Sequence, residues 1–281
     1  GQFTTSRKMS ERLFKELETD VALKVEDNPN GGWTLSGRGE LHLAILIERL
    51  RREGYELEVS RPQVITKVVD GQTLVPYEKV FIEVPEDLAG TIIRQLGSRY
   101  GEMQKMEIID QTAYLEFIVP TKGLFGFRSQ FLTDSRGLGV INTSFYKFAP
   151  ENGVFNGREN GSLVNCESGN TLMYAISTLQ ERGELFVGPS VYVYKGQVIG
   201  QSSRPGDIQV NACKEKRASN QRARIKGQTE HIDAPKTMGL EDSLEYINDD
   251  ELVEVTPLSI RIRKRILDEA LARKIARGIK D

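Results

Sequence analysis

Residues 77–96, YEKVFIEVPEDLAGTIIRQL, decide the reading of the fold. Tyr77 to Val84 has the pattern of a strand with one buried face. Pro85 ends it. Leu88, Ile92, Ile93 and Leu96 then recur at the spacing of an amphipathic helix that stops before Gly101. Downstream, Met103–Ile109 and Ala113–Val119 read as two strands around an Asp110-Gln111 turn. A second, shorter helix is predicted from Leu124 through Phe127, Phe131 and Leu132. Val140–Phe148 supplies a closing strand after the Ser135-Arg136-Gly137-Leu138-Gly139 loop.

The resulting order, βαββαβ, is that of a ferredoxin-like module, placed at 73–149. The region before it follows the same plan with one element missing. Ser6–Glu18 carries Leu13, Phe14 and Leu17 at helical spacing, with Ser6 placed to cap it. Val21–Val25 and Trp33-Thr34-Leu35 flank the turn signal Asn28-Pro29-Asn30-Gly31-Gly32. Glu40 opens a helix through Leu41, Leu43, Ala44, Ile47 and Leu50, closed by Gly54, and Tyr55–Val59 alternates again. Helix, strand, strand, helix, strand is a ferredoxin-like module at 1–72 lacking its opening strand, which is expected to lie upstream.

From about Pro150 the pattern turns to short strands in a Gly-rich setting: 161–167, 184–187, 191–194 and 197–201, with a helix over 172–181. A short acidic helix at 240–247, strands at 252–255 and 259–263, and a basic terminal helix close the chain. The fold class is therefore α+β, two ferredoxin-like modules followed by an irregular α+β domain at 150–281. Within that domain lies NACKEKRASNQRARIKG, residues 211–227. Its apolar residues fall on no consistent face, while Lys214, Lys216, Arg217, Arg222, Arg224 and Lys226 face one acid, Glu215. A long basic loop of this kind suits phosphates, with Asn220 and Gln221 free to hydrogen-bond riboses or bases; a solvated surface loop is the plainer alternative.

The 281 residues carry 38 Lys and Arg against 40 Asp and Glu, a formal net charge of −2. That balance hides segregation, with basic runs at 214–226 and 261–277 and an acidic one around 241–254. No stretch approaches the roughly 20 apolar residues of a membrane span. The two cysteines, Cys166 and Cys213, form no CxxC or Cys/His cluster, which argues against a zinc site and fits a reducing cytoplasm. The carboxylates of 241–254 lack EF-hand spacing, so no metal site is expected. His42 and His231 stand apart from any serine or cysteine that the sequence places near them, so no catalytic residues are expected. GTP hydrolysis would need a GxxxxGK[ST] string, and none occurs. Ser36-Gly37-Arg38-Gly39-Glu40 is the nearest approach to an anion cradle, but Glu40 in the first turn favours a tight turn and cap.

Several blocks resemble known translation factors. GRGELHL, residues 37–43, leading into an apolar helix and Gly54-Tyr55, resembles the third domain of the elongation factor G family of translational GTPases. VPYEKVFIEVPEDLAG (75–90) and GLFGFRSQFLTDSRG (123–137) look like its fifth domain. GSLVNCESGNTLMYAISTLQERGELFVGP (161–189), VYKGQVIG (193–200), VNACKEK (210–216) and DDELVEVTPLSIRIRKR (249–265) resemble the C-terminal domain of the BipA (TypA) family. LepA, similar in layout, is patterned differently there.

The resemblance implies a bacterial ribosome-associated GTPase tied to large-subunit assembly and stress adaptation. GTP and magnesium would belong to an upstream domain, and this chain would hold no cofactor of its own. Its expected partners are large-subunit rRNA and the acceptor end of a tRNA, with neither membrane nor DNA, and the protein is expected to be a monomer off the ribosome. The loop departs from the family pattern after Arg222, where Arg224 and Lys226 make it more basic. Secondary RNA candidates, read from the residues themselves, are Lys122, Arg128 and Arg136 around the second helix of the second module, and Arg263, Lys264 and Arg265 along the final strand and helix. A LepA-like factor, or a module binding a protein partner without RNA, is the alternative.

Overall fold

A computed structural model of the chain describes residues 5–29, 31–153, 158, 160–215 and 232–276. The chain divides into two compact units, Gly1–Arg61 with Arg158–Asp281, and Pro62–Gly157.

The first unit opens with α1 (Ser6–Glu16), an antiparallel hairpin of β1 (Lys24–Asp27) and β2 (Trp33–Ser36), then α2 (Glu40–Arg52) and β3 (Leu57–Ser60). Met9 and Leu13 of α1 meet Leu46 and Leu50 of α2 over Trp33 and Leu35 of the hairpin. The expected Ser6 cap is not made: Ser6 is already helical, and Thr5 before it caps without a side-chain bond.

The second unit contains β4 (Lys67–Val69), β5 (Gln72–Pro85), α3 (Glu86–Ser98), β6 (Glu102–Ile109), β7 (Thr112–Pro120), a 3-10 turn at Thr121–Leu124, α4 (Phe127–Asp134) and β8 (Val140–Pro150). Its antiparallel sheet runs β8-β5-β7-β6, and β4 forms a hairpin with the start of β5. This is the ferredoxin-like βαββαβ arrangement. Val80, Ile82, Val84, Leu115 and Phe117 point to the face covered by Ile92 and Leu96 of α3 and Phe127 and Phe131 of α4. The tight β6-β7 connection takes both Asp110 and Gln111 to positive φ, 47° and 62°, the backbone sense that joins right-twisted strands closely.

The remaining elements, all of the first unit, are β9 (Ser162–Asn165), β10 (Gly169–Asn170), α5 (Met173–Leu179) with a 3-10 turn at Gln180–Arg182, β11 (Gly183–Leu185), β12 (Tyr192–Val193), β13 (Gln197–Ser202), β14 (Ile208–Val210), α6 (Leu240–Tyr246), β15 (Glu251–Val255), β16 (Ile260–Lys264) and α7 (Glu269–Ala276). Among the described residues, seven strands form one sheet in the order β14-β9-β13-β16-β15-β3, with β11 on β13. The strand from the N-terminal region is built into the C-terminal domain: Leu57 pairs with Val255 and Ser60 with Leu252. Alternate side chains feed two cores. Val164, Val198, Val253 and Ile262 pack under α2 and α6, while Leu163, Ile199 and Val210 pack under α5.

Candidate nucleic-acid interface

Both flanks of the basic segment are among the described residues. After β14, the Ala212 amide donates to the Asn165 side-chain oxygen at 3.2 Å and the Ala212 carbonyl accepts from Leu172 at 3.0 Å. Asn211 caps the next turn, its side-chain oxygen accepting from the Cys213 amide at 2.9 Å. On the returning side, the Asp233 amide donates to Gln180 at 3.1 Å, the Lys236 amide to the Leu185 carbonyl at 2.8 Å, and the Lys236 ammonium pairs with Glu184 at 3.2 Å. Ala212, Cys213 and Ile232 all seat in the cluster beneath α5. Burial there pushes the Cys213 thiol up, with Glu167 adding to the effect, so this cysteine is a packed group of low reactivity. Lys214 is exposed. Lys216, Arg217, Asn220, Arg222, Arg224 and Lys226 lie outside the described residues, 216–231 being among those not described.

The secondary candidates have diverse surroundings. Lys122 stands 3.9 Å from Glu151. Arg128 is exposed in the first turn of α4, and Arg136 is exposed just beyond that helix, where its φ of 54° makes the turn towards Gly137. Arg263 pairs with Glu58 of β3. Lys264 points inward, with its ammonium 2.8 Å from Asp250 and 3.0 Å from Glu251 and also bonded to Asp207. Among the described residues these three carboxylates already meet its charge, which sets it apart from the exposed candidates. Arg265, next in sequence, is exposed.

Lys264 belongs to a buried network that the sequence did not disclose. Glu251 has 0 % of its surface exposed. It accepts from Ser162 at 2.6 Å, from the Asn248 amide at 2.9 Å and from both terminal nitrogens of Arg158 at 3.1 and 3.3 Å. The Arg158 guanidinium also lies over the Tyr246 ring, 3.9 Å from its centroid. Burial pushes the Glu251 carboxyl up, yet Arg158 and Lys264, with the hydrogen bonds, outweigh it and hold the group below its usual range.

The turn at Gly37-Arg38-Gly39 has its own closure. The Arg38 amide donates to His42 Nδ1 at 3.2 Å, and His42 Nε2 meets the Asp20 carboxylate. A Cβ on Gly37 would stand 2.6 Å from His42 Nδ1. His42 is thus a helix-entry clamp, and burial, reinforced by Glu241, pushes the nearby Glu40 carboxyl up. Among the described residues no group of three or more His, Cys, Asp or Glu side chains could hold a metal ion. No described helix is long and apolar enough to cross a membrane.

Comparison with known families accounts for most of the chain. Residues 3–61 match elongation factor G domain III, residues 73–158 the elongation factor G C-terminus, and residues 160–269 the TypA/BipA C-terminal domain. The chain is 47% identical over 266 residues to the large ribosomal subunit assembly factor BipA of Synechocystis sp., covering 94% of this chain and 45% of the relative. The chain belongs to the BipA/TypA family. The corresponding factor of Bacillus subtilis is 44% identical over 282 residues, 99% of this chain and 46% of that protein. A chloroplastic TypA-like putative elongation factor, SVR3 of Arabidopsis thaliana, is 47% identical over 267 residues, 94% of this chain and 39% of that one. The chain spans about half the length of the curated relatives it matches. The stretch matching the BipA C-terminal domain contains the basic segment, Glu251 and Lys264 of the buried network, whose Arg158 lies just before it, and two arginines, Arg182 and Arg204, that sequence reading passed over because each is isolated in the chain.

Proposed function

We propose that this chain is the ribosome-docking portion of a BipA/TypA-type translational GTPase that takes part in large-subunit assembly and stress adaptation. In that factor GTP and magnesium are held by another domain, and the chain contributes RNA contacts without nucleotide chemistry of its own. The observation that carries this reading is the seating of Ala212 and Ile232, on either side of the basic segment, in one apolar cluster of the domain that matches the BipA C-terminal family. A charge-rich segment held at both ends by a rigid core suits recognition of rRNA and a tRNA acceptor end by backbone charge and shape. That relatives such as those of Synechocystis sp. and Bacillus subtilis are named large ribosomal subunit assembly factors supports the same assignment.

Six cations neutralising six phosphates would make the logarithm of affinity fall with the logarithm of salt at a slope of about 4 to 5. The test is cosedimentation of the chain with large ribosomal subunits between about 50 and 200 mM salt. Binding is expected to fall steeply with salt, and replacing Lys214, Lys216, Arg217, Arg222 and Arg224 together by Gln is expected to flatten the dependence. Cosedimentation indifferent to both salt and the substitutions overturns the loop's role. Complexes that survive RNase instead favour a protein partner.

A further inference from the structure

Arg182 and Arg204 line one solvent-open cavity of about 270 Å³, together with Glu181, Ser203 and Ile208. Most described arginines of this chain are tied to carboxylates. These two are not: among the described residues neither guanidinium has an ion-pair or side-chain hydrogen-bond partner, and Glu181 on the same rim pairs with neither. Two like charges on residues lining one cavity repel each other, and an anion bound there relieves that cost.

The backbone holds the pair in place. The Ser203 amide donates to the Arg182 carbonyl at 2.9 Å and its hydroxyl to the same oxygen at 3.0 Å. Gly183 pairs with Ser202 across β11 and β13, and a Cβ there would stand 1.9 Å from the Gln201 carbonyl, so only glycine permits this approach. On the other side the Arg204 carbonyl accepts from Gly161 at 3.0 Å and the Arg204 amide donates to Ser202 Oγ at 3.1 Å. Both arginine-bearing turns are thereby fixed to one sheet, so less ordering cost falls on binding.

We infer that this cavity is a second RNA contact, which grips a single backbone phosphodiester between Arg182 and Arg204. The inference rests on the RNA-docking reading above. With Glu181 the three charges sum to +1, matching a singly charged diester better than a doubly charged terminal phosphate. The carboxylate accepts a hydrogen bond from a ribose 2′-hydroxyl, which selects RNA over DNA, and Ile208 offers an apolar rim to the sugar. The volume falls below the roughly 300–1,000 Å³ of pockets that enclose a whole small ligand, so a segment of polymer running across the opening fits better than a free nucleotide.

The test is fluorescence anisotropy of the full chain with a single-stranded ten-nucleotide RNA and its DNA counterpart, at several salt concentrations. Four proteins are compared: the unmodified chain, Arg182→Gln with Arg204→Gln, Glu181→Gln, and the loop-neutralised chain. The double arginine variant is expected to bind RNA on the order of tenfold more weakly, with a salt slope shallower by about 1. Glu181→Gln is expected to reduce the preference for RNA over DNA. Unaltered circular dichroism and melting of these surface variants establish that they fold. If loop neutralisation abolishes binding and the arginine pair changes nothing, the cavity site is overturned and the loop reading stands. If the loop-neutralised chain still binds RNA and the arginine substitutions remove that binding, the cavity stands and the loop reading falls. Equal displacement of the RNA by AMP at matched phosphate concentration overturns the diester assignment in favour of a free nucleotide.

Discussion

Two cation clusters of the first unit are opposite in kind. Around Glu251, Arg158 and Lys264 are drawn inward and each has a carboxylate within 3.1 Å. Around the cavity of Arg182 and Arg204 both residues are exposed and neither guanidinium has an ion-pair partner among the described residues. Positive charge alone therefore says little about RNA contact in this protein. What separates the two sites is whether the counter-charge has been supplied from within, and substitutions at the two should move different observables: stability at the first, salt-dependent binding at the second.

The largest effect is expected from Glu251→Gln. The carboxylate is fully buried, and removing its charge strands the Arg158 guanidinium against the Tyr246 ring without an anion. Loss of one partner from a buried ion pair costs about 3 to 5 kcal/mol. Trp33, the only tryptophan of the chain, packs in a cluster that shares Leu57 with the one around β15, so its fluorescence in urea follows the unit concerned. A loss below about 1 kcal/mol, the scale of an exposed pair, would show the network to be dispensable. The same residue sets a pH response. Its folded-state pKa is depressed, so its stabilising contribution is present above the unfolded value of about 4.3 and is lost as pH falls through the lower folded value. Stability measured down to acid pH is expected to decline below about pH 4.3 in the unmodified chain and less steeply in Glu251→Gln.

Much of this contrast was beyond sequence reading, and particular residues show why. The βαββαβ of the second unit was legible because its signals are local: Val80, Ile82 and Val84 alternate, Leu88, Ile92 and Leu96 recur, and Pro85 separates them. The pairing of β3 with β15 was not, since no periodicity links Leu57 to Val255, and β14 was too short to register. Lys264 entered the RNA candidates because counting charge along the chain cannot see that Glu251, inside an acidic run, is buried beside it. Arg182 and Arg204 escaped for the reverse reason, being brought together only by the folding of β11 onto β13. Of the loop, the sequence supplied the charge and the fold supplied the anchored flanks.

Inward and outward charge meet at a single peptide bond, between Lys264 and Arg265. Lys264→Met is expected to cost about 3 kcal/mol, because Glu251 and Asp207 lose a shared cation in a largely buried setting, and to leave the salt slope of ribosome binding unchanged at temperatures where the variant is folded. Arg265→Gln, at an exposed position, is expected to stay within about 0.5 kcal/mol in stability. It should make the slope shallower by about 1 if its guanidinium meets a phosphate. Urea titration and cosedimentation on the two variants decide it, and a binding defect in the methionine variant alone would reverse the division between internal and external charge.

An effect smaller than those at Glu251 and Lys264 is expected at the helix entry Gly37-Arg38-Gly39-Glu40, the nearest approach to an anion cradle in the sequence. There the Arg38 amide already has an acceptor in His42 Nδ1, and this leaves Nε2 to carry the proton towards Asp20. The hydrogen bond from His42 holds the Asp20 carboxyl below its usual range. An entry closed in this way, with Glu40 in the first turn, repels phosphate where the Arg182 and Arg204 cavity attracts it. His42→Ala is expected to lose about 1 kcal/mol from the unpaired amide, seen in the Trp33 transition, with no change in RNA affinity. Stabilisation of the unmodified chain by added inorganic phosphate that disappears in His42→Ala would instead make this turn an anion site. The helix entry would then join the external class, and internal satisfaction of charge would no longer separate the sites that bind from those that hold the fold.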